Sequence, residues 1–487
     1  MKKRITALVV SMLLIFGALT GCKSNDNPAG VKLDPNNPVT ITVWHYYNGA
    51  QKVAFDNMIK EFNETVGLEE GIFVEGHNQG DVTQLEDSVM ASINKKVGSK
   101  EIPNIFASYA DTAYEIEKKG YLVDLNKYMS KDDISSYVDS YIEEGKISSN
   151  ADELKIFPVA KSTEIFMLNK TAWDKFSKDT GSSLDELKTK EGLVNIAKKY
   201  YEWTDSLTPN VKNDGKAFYG RDAMANLFII GSMQNGDELF KVENQKVTLN
   251  LNKENMKKIW DFYYVPYVKG YFSSYGKFRS DDVAIGEIAS LTGSTTSANY
   301  FPDKVDSNGK SSKIETIVLE DPKFKDGKDY AVQQGAGMVV TKGTEQEEYA
   351  SVVFLKWFTE EERNINFCGD SGYLPVKKDA NNIDTFNKVI KENNINLNDK
   401  VKKTMDVAYD TLKNNTLYTN KAFDGGRNAR KVLEYNLYDL AIEDRKEVEK
   451  ALKNGKSLEE ATKKYTSDKN FEKWYDSFSK ALKDSVK

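Results

Sequence analysis

Residues 155–170, KIFPVAKSTEIFMLNK, restrict the fold more than any other stretch of this chain. Apolar Ile156, Phe157 and Val159 lead into Lys161, Ser162, Thr163 and Glu164, after which Ile165, Phe166, Met167 and Leu168 resume the apolar run. A short buried strand holds four consecutive polar residues only where each finds a partner, because an unpaired buried polar group is costly. The stretch therefore reads as a strand that leaves one core and enters another, a crossing between two lobes.

The chain before the crossing alternates in period. Residues 39–44 read as a strand, and Val53, Met58, Ile59, Phe62 and Val66 then recur at helical spacing. A second strand at 71–75 is followed by the stripe Leu85, Val89, Ile93 and Val97, and a third at 102–107 by a helix through Tyr114 and Ile116. This β-α-β-α order predicts a largely parallel sheet with helices on both faces and ligand-accessible loops at the strand carboxyl ends. Beyond the crossing the pattern is more helical, at 171–178, 184–200, 224–233 and 252–265, the last ending at Pro266. Residues 281–288 read as a helix, 314–319 as a strand and 330–341 as one strand-like unit. The sequence 349–363 forms a strong helix, and the charged remainder from about 381 reads as helices with solvated faces and no chemistry.

The N-terminus sets the compartment. Lys2, Lys3 and Arg4 precede an uncharged stretch, 5–19, shorter than the roughly 20 residues of a membrane span. It closes in Leu19-Thr20-Gly21-Cys22, which resembles a lipobox, so residues 1–21 are expected to be a signal peptide and Cys22 the lipidated residue. Residues 22–38, rich in Asn, Asp, Gly and Pro, form a flexible tether. The only other cysteine is Cys368, which leaves no disulfide pair. The 487-residue chain carries 68 basic and 74 acidic residues, a net charge of −6 that becomes −9 once Lys2, Lys3 and Arg4 leave with the leader. That balance, with no block of cations, excludes nucleic acid as a partner.

Catalytic and cofactor signatures are missing. The two histidines, His45 and His77, belong to no HExxH pattern, no CxxC or GxSxG occurs, and Gly309-Lys310-Ser311 is not a complete P-loop. Gly335-Ala336-Gly337 lacks the third glycine of a dinucleotide fingerprint. No metal or cofactor is expected. Paired carboxylates remain open as an alternative, that of a surface glycoside hydrolase.

Several segments together carry a family resemblance: ITVWHYY, IPNIFASYADTAYEIEKKGYLVDL, FPVAKSTEIFMLNKTAWDKF, GEIASLTGSTTSANYF and YAVQQGAGMVVTKGTEQEEYASVVFLKWFTEEERN with SGYLPVKKDA behind it. In order and spacing the chain resembles the extracellular solute-binding proteins of ABC importers, family 1, which include maltose- and glycerol-phosphate-binding proteins. The resemblance implies an α/β two-lobe periplasmic-binding-protein-like fold with the ligand cleft between lobes and multiple hinge crossings. Lobe one would comprise 39–157 plus 327–373, and lobe two 158–326 plus 374–487. The implied function is capture of a carbohydrate and its delivery to an ABC permease by cleft closure, by a monomer held to the membrane through Cys22, with no catalysis. A glycerol-phosphate or phosphodiester ligand is the alternative within the class.

Sugars offer hydroxyl edges and apolar faces, so aromatic and polar side chains near the cleft are the candidates. Trp44, His45 and Tyr46 end the first strand, where they serve as ligand platforms or as a lid on the core. Tyr109 and Asp111 follow the third strand, and Asp111 equally fits a helix N-cap. Lys161, Ser162 and Thr163 lie in the crossing, to bind solute or to secure the hinge. Ser294 and Thr295 end a strand in lobe two, and Gly335 and Gly337 would let backbone approach the solute. Arg427, beside Asp424, resembles an anion-binding arginine of the glycerol-phosphate binders but also suits a surface ion pair.

Overall fold

The computed structural model describes residues 28–486 apart from 244 and 308. The expected signal peptide and Cys22 lie outside the described residues, as does the start of the tether. The two sheets and the hinge are built from β1 (Val39–His45), β2 (Ile72–Asn78), β3 (Ile105–Ser108), β4 (Glu164–Asn169), β5 (Tyr219–Arg221), β6 (Ser290–Ser294), β7 (Thr316–Glu320), β8 (Tyr330–Val332), β9 (Gly337–Val340) and β10 (Thr416–Tyr418). The helices that position the site or cover the sheets are α1 (Gly49–Glu64), α2 (Val82–Ile93), α3 (Ala110–Glu117), α4 (Met224–Gln234), α5 (Arg279–Ala284), α6 (Glu345–Phe358), α7 (Asp399–Asn414) and α8 (Gly426–Lys453).

The first sheet runs β9-β3-β1-β2, with β1 parallel to β2 and β3 and with β9 antiparallel at the edge. The apolar spacing of α1 buries Ala54, Phe55, Met58, Ile59 and Phe62, and the Phe62 ring meets Phe354 and Trp357 of α6 edge-on with centroids 5.1 Å apart. Asp81 and Gln84 form a capping box at α2, and Thr344 and Glu347 another at α6, so sequence sets both starts.

The second sheet runs β7-β4-β6-β5, with β4 antiparallel to both neighbours and β5 parallel to β6. All six residues of β4 are buried, and α7 packs on β7 beside it. The crossing at 157–163 joins the two sheets. Phe157 bridges Met338, Ser162 and Gln334 exchange backbone bonds at 2.9 and 3.1 Å, and Lys161 pairs with Leu374. Beside this seam β8 lies parallel to β10, a short strand that the sequence pattern missed inside the charged C-terminal region.

Several elements depart from the expected pattern; the helix read at 349–363 is two, Glu345–Phe358 and Glu361–Ser371, and that read at 281–288 is Arg279–Ala284. The unit at 330–341 is two strands in different sheets, because Gly335 at φ +99° turns the chain between β8 and β9. The 184–200 segment is a 3-10 turn, Leu184–Lys188, followed by a helix, Lys190–Ser206, with a capping box at Ser183 and a second cap at Thr189. Pro266 does not end its helix, Lys253–Val268, which continues through Tyr267 and Val268.

Candidate functional site

A cavity of about 470 Å³ opens between the lobes. Asp81, Glu86, Tyr109, Asp111 and Thr112 form the first-lobe wall, and Arg221 to Met224 with Lys277 to Arg279 form the second. The third wall is one face of α8, where Arg427, Arg430, Glu434 and Tyr438 follow at helical spacing with Lys431 and Tyr435 beside them. A larger cavity of about 790 Å³ lies among β7, β8 and α7, but its lining includes no arginine and nothing from the first sheet.

Charge in the cleft is mostly paired. Arg221 Nη2 reaches both Glu164 carboxylate oxygens at 2.9 Å, and Asn226 Nδ2 adds a bond to Glu164 Oε1 at 3.0 Å. Arg279 donates to Asp282 at 2.6 Å and also faces Asp222, while Arg427 Nη2 donates to Asp87 at 2.6 Å. Glu434 accepts the backbone N–H groups of Met224 and Ala225 at 3.1 and 2.9 Å, capping α4 from another helix. Ala223, just before, is held at φ +52°, a strained conformation for a residue with a side chain.

Two carboxyls on opposite walls are pushed up to about 6. For Asp111 the cause is burial, offset by Arg430 and reinforced by Glu86, Glu115 and Glu144. For Asp222 it is burial, offset by Arg279. Glu86 is also raised, by burial that outweighs its bond to Thr112 and the nearby Arg427. Asp111 Oδ1 has no hydrogen-bond partner.

The structure brings Tyr109, Asp111 and Arg427 to this cavity. Tyr46 is half-buried and does not line it; its hydroxyl lies 3.4 Å from that of Tyr373. Trp44 and His45 are core residues; burial lowers the His45 imidazole to about 4, and its Nδ1 accepts the Tyr47 N–H at 3.2 Å. Lys161 is buried with its ammonium on Glu144 Oε1 at 2.7 Å and on the Gly335 carbonyl at 2.9 Å. Ser162 is tied by backbone to Gln334, and the Thr163 carbonyl accepts the Thr295 N–H at 3.0 Å. Ser294 caps the turn that follows β6 through the Thr296 N–H. At Gly335 an added Cβ would stand 2.8 Å from the Ala160 carbonyl, and at Gly337 2.3 Å from an Ile156 methyl. Both glycines thus admit the crossing strand.

Sequence reasoning missed Phe278, Arg279, Arg430, Glu434, Tyr435 and Tyr438. Phe278 and Tyr435 are 51% and 49% exposed, unusual for large aromatics, and both line the cavity. The i, i+3, i+7 row from Arg427 to Glu434 was a usable signal, but its charged pattern reads first as a solvated face.

Two lobes on separate sheets, joined by paired hinge strands and enclosing a cavity lined from both, define a two-lobe solute-binding protein of the periplasmic-binding-protein fold. The chain belongs to the bacterial extracellular solute-binding proteins, whose family profile matches residues 57–395. It is similar to an ABC substrate-binding protein from Listeria monocytogenes in complex with cycloalternan, with TM-score 0.65 and 17% identity over 92% of this chain and 99% of that one. It is also similar to UgpB from Mycobacterium tuberculosis in complex with glycerophosphocholine, with TM-score 0.64 and 18% identity over 93% and 100%. A third likeness, to the cyclic alpha-maltosyl-1,6-maltose binding protein from Arthrobacter globiformis, has TM-score 0.60 and 16% identity over 92% and 99%. At these identities the likeness is one of fold. No curated protein matches the chain.

Proposed function

We propose that this protein captures a carbohydrate between its lobes and presents it to an ABC permease, acting as a monomer without catalysis and anchored to the outer face of the membrane through lipid on Cys22. The lobes are taken as 39–157 plus 327–373 and 158–326 plus 374–487. The single observation that carries the reading is a cleft of about 470 Å³ in which exposed aromatic faces, Phe278 and Tyr435, stand beside paired and unpaired hydrogen-bonding groups. Its size falls in the range of about 300–1,000 Å³ typical of small-molecule sites, and aromatic faces with polar edges suit a sugar ring. The solutes bound by the similar structures, cycloalternan and a cyclic maltosyl-maltose among them, support the same class.

Binding energy would shift the lobes toward closure, with the change absorbed at the seam of 157–163, 334–338 and 374. A thermal-shift panel of oligosaccharides and glycerophosphodiesters tests the reading, since a ligand bound only by the native state raises the Tm. A stabilising sugar recovered unchanged supports the receptor; its hydrolysis by the purified protein would overturn it.

A further inference from the structure

The cations that line the cleft differ in one respect. Arg221 is held by Glu164, Arg279 by Asp282, Arg427 by Asp87 and Lys277 by Asp81. Arg430 is not held by any carboxylate among the described residues. Its guanidinium donates to Asn226 Oδ1 at 3.1 Å and lies over the Tyr109 ring, 5.5 Å from the centroid. A guanidinium has five donors in a planar fork, so most of its capacity is unused. The other local attractor of anions, the N-terminus of α4, is already taken by Glu434.

Asp111 lines the same cavity, is only 8% exposed, and has an Oδ1 with no partner. A built site thus contains one half-buried guanidinium outside any ion pair and one unpaired acceptor, with the exposed Lys431 also on its wall, and a closing ligand must satisfy the two enclosed groups, since unpaired polar groups in a dry site are costly.

We propose that Arg430 seats the carboxylate of an acidic sugar, while Asp111 accepts a neighbouring ring hydroxyl. This rests on the carbohydrate reading and narrows it to uronates. The planar edge of a guanidinium matches two coplanar carboxylate oxygens. Glu86, Asp111 and Glu434 around it disfavour a doubly charged phosphate monoester. Tyr109 occupies one side of the guanidinium, with its ring centroid 5.5 Å from Cζ.

Titration calorimetry on the full chain would compare digalacturonate and a glucuronate-bearing disaccharide with their neutral counterparts and with glycerophosphocholine, for the unsubstituted protein, Arg430→Gln and Arg430→Lys. A uronate should bind at least about tenfold tighter than its neutral counterpart. Arg430→Gln should cost the uronate more affinity than its neutral counterpart and so abolish that preference, and Arg430→Lys should restore part of it. Equal losses for acidic and neutral sugars, tighter binding of the neutral sugars, or glycerophosphocholine as the tightest ligand would each overturn the assignment. Failure of every carbohydrate to bind would instead sink the carbohydrate reading, and the assignment with it. An unchanged Tm in both variants separates lost binding from lost folding.

Discussion

Lys277 Nζ, on the second lobe, donates to the Asp81 carboxylate of the first at 2.8 Å, and so ties the two walls together at the mouth of the cleft. Asp81 is also the N-cap of α2, accepting the Gln84 N–H at 3.0 Å. A second tie runs from the Tyr300 hydroxyl to the Asn48 carbonyl at 2.9 Å. Both Lys277 and Asp81 keep solvent contact, so the pair contributes no more than about 0.2–1 kcal/mol. Asp81→Asn keeps the cap and removes the charge. It should weaken ligand affinity about two- to fivefold at low salt, lose the difference at high salt, and leave the melting temperature unchanged. An Asp81→Ala change should in addition cost about 1 kcal/mol of stability through the lost cap.

Glu164 and Arg221 form a pair buried on both sides, with side chains 6% and 1% exposed. Glu164→Gln leaves the guanidinium charge buried without its counter-ion and should cost about 3–5 kcal/mol. Replacing both by apolar residues of similar volume, Glu164→Leu with Arg221→Met, should recover most of that. Chemical denaturation of the single and double variants decides it, and a double variant as unstable as the single one would be the contrary result.

Asp111 gives a pH signature. Its folded value of about 6 lies above the ordinary 3.8, so the fold disfavours the ionised form. Its contribution is fully present below pH 3.8 and is lost as pH rises through about 6. Asp111→Asn should therefore stabilise the protein at pH 7 by up to about 2–3 kcal/mol, a gain that fades on acidification and is gone by about pH 4. Thermal melts of the pair across that window provide the measurement. A gain that does not change with pH would argue against a buried, raised carboxyl.

Gly335 carries a structural demand. At φ +99°, with the Ala160 carbonyl 2.8 Å from an added Cβ, Gly335→Ala should destabilise the fold by about 1–3 kcal/mol. If the glycine served solute approach instead, affinity would fall and the Tm would hold.

Cys22→Ser should leave the protein unprocessed or release it from membranes. Metabolic labelling with a radioactive fatty acid checks this, and unaltered labelling of the variant would refute lipidation at Cys22.

Much of the frame was legible because its determinants are local. The alternation of strand and helix before the crossing, the Thr344-x-x-Glu347 start of α6 and the apolar stripe of α1 all act within a few residues. The site was less legible because its geometry is non-local. His45 ends β1 and Tyr46 follows it, yet His45 is fully buried in the core while Tyr46 is half-buried with its hydroxyl on Tyr373, a partner 327 residues away in sequence.

By itself the sequence located a polar crossing between two lobes, since four consecutive polar residues inside an apolar run are buried only where each finds a partner. The tertiary structure decided that the Lys161 ammonium is paired with Glu144 and the Gly335 carbonyl and that a charged helix supplies a wall of the cleft. Burial and pairing set those roles, through contacts as distant in sequence as Lys161 with Gly335 and Arg430 with Asn226.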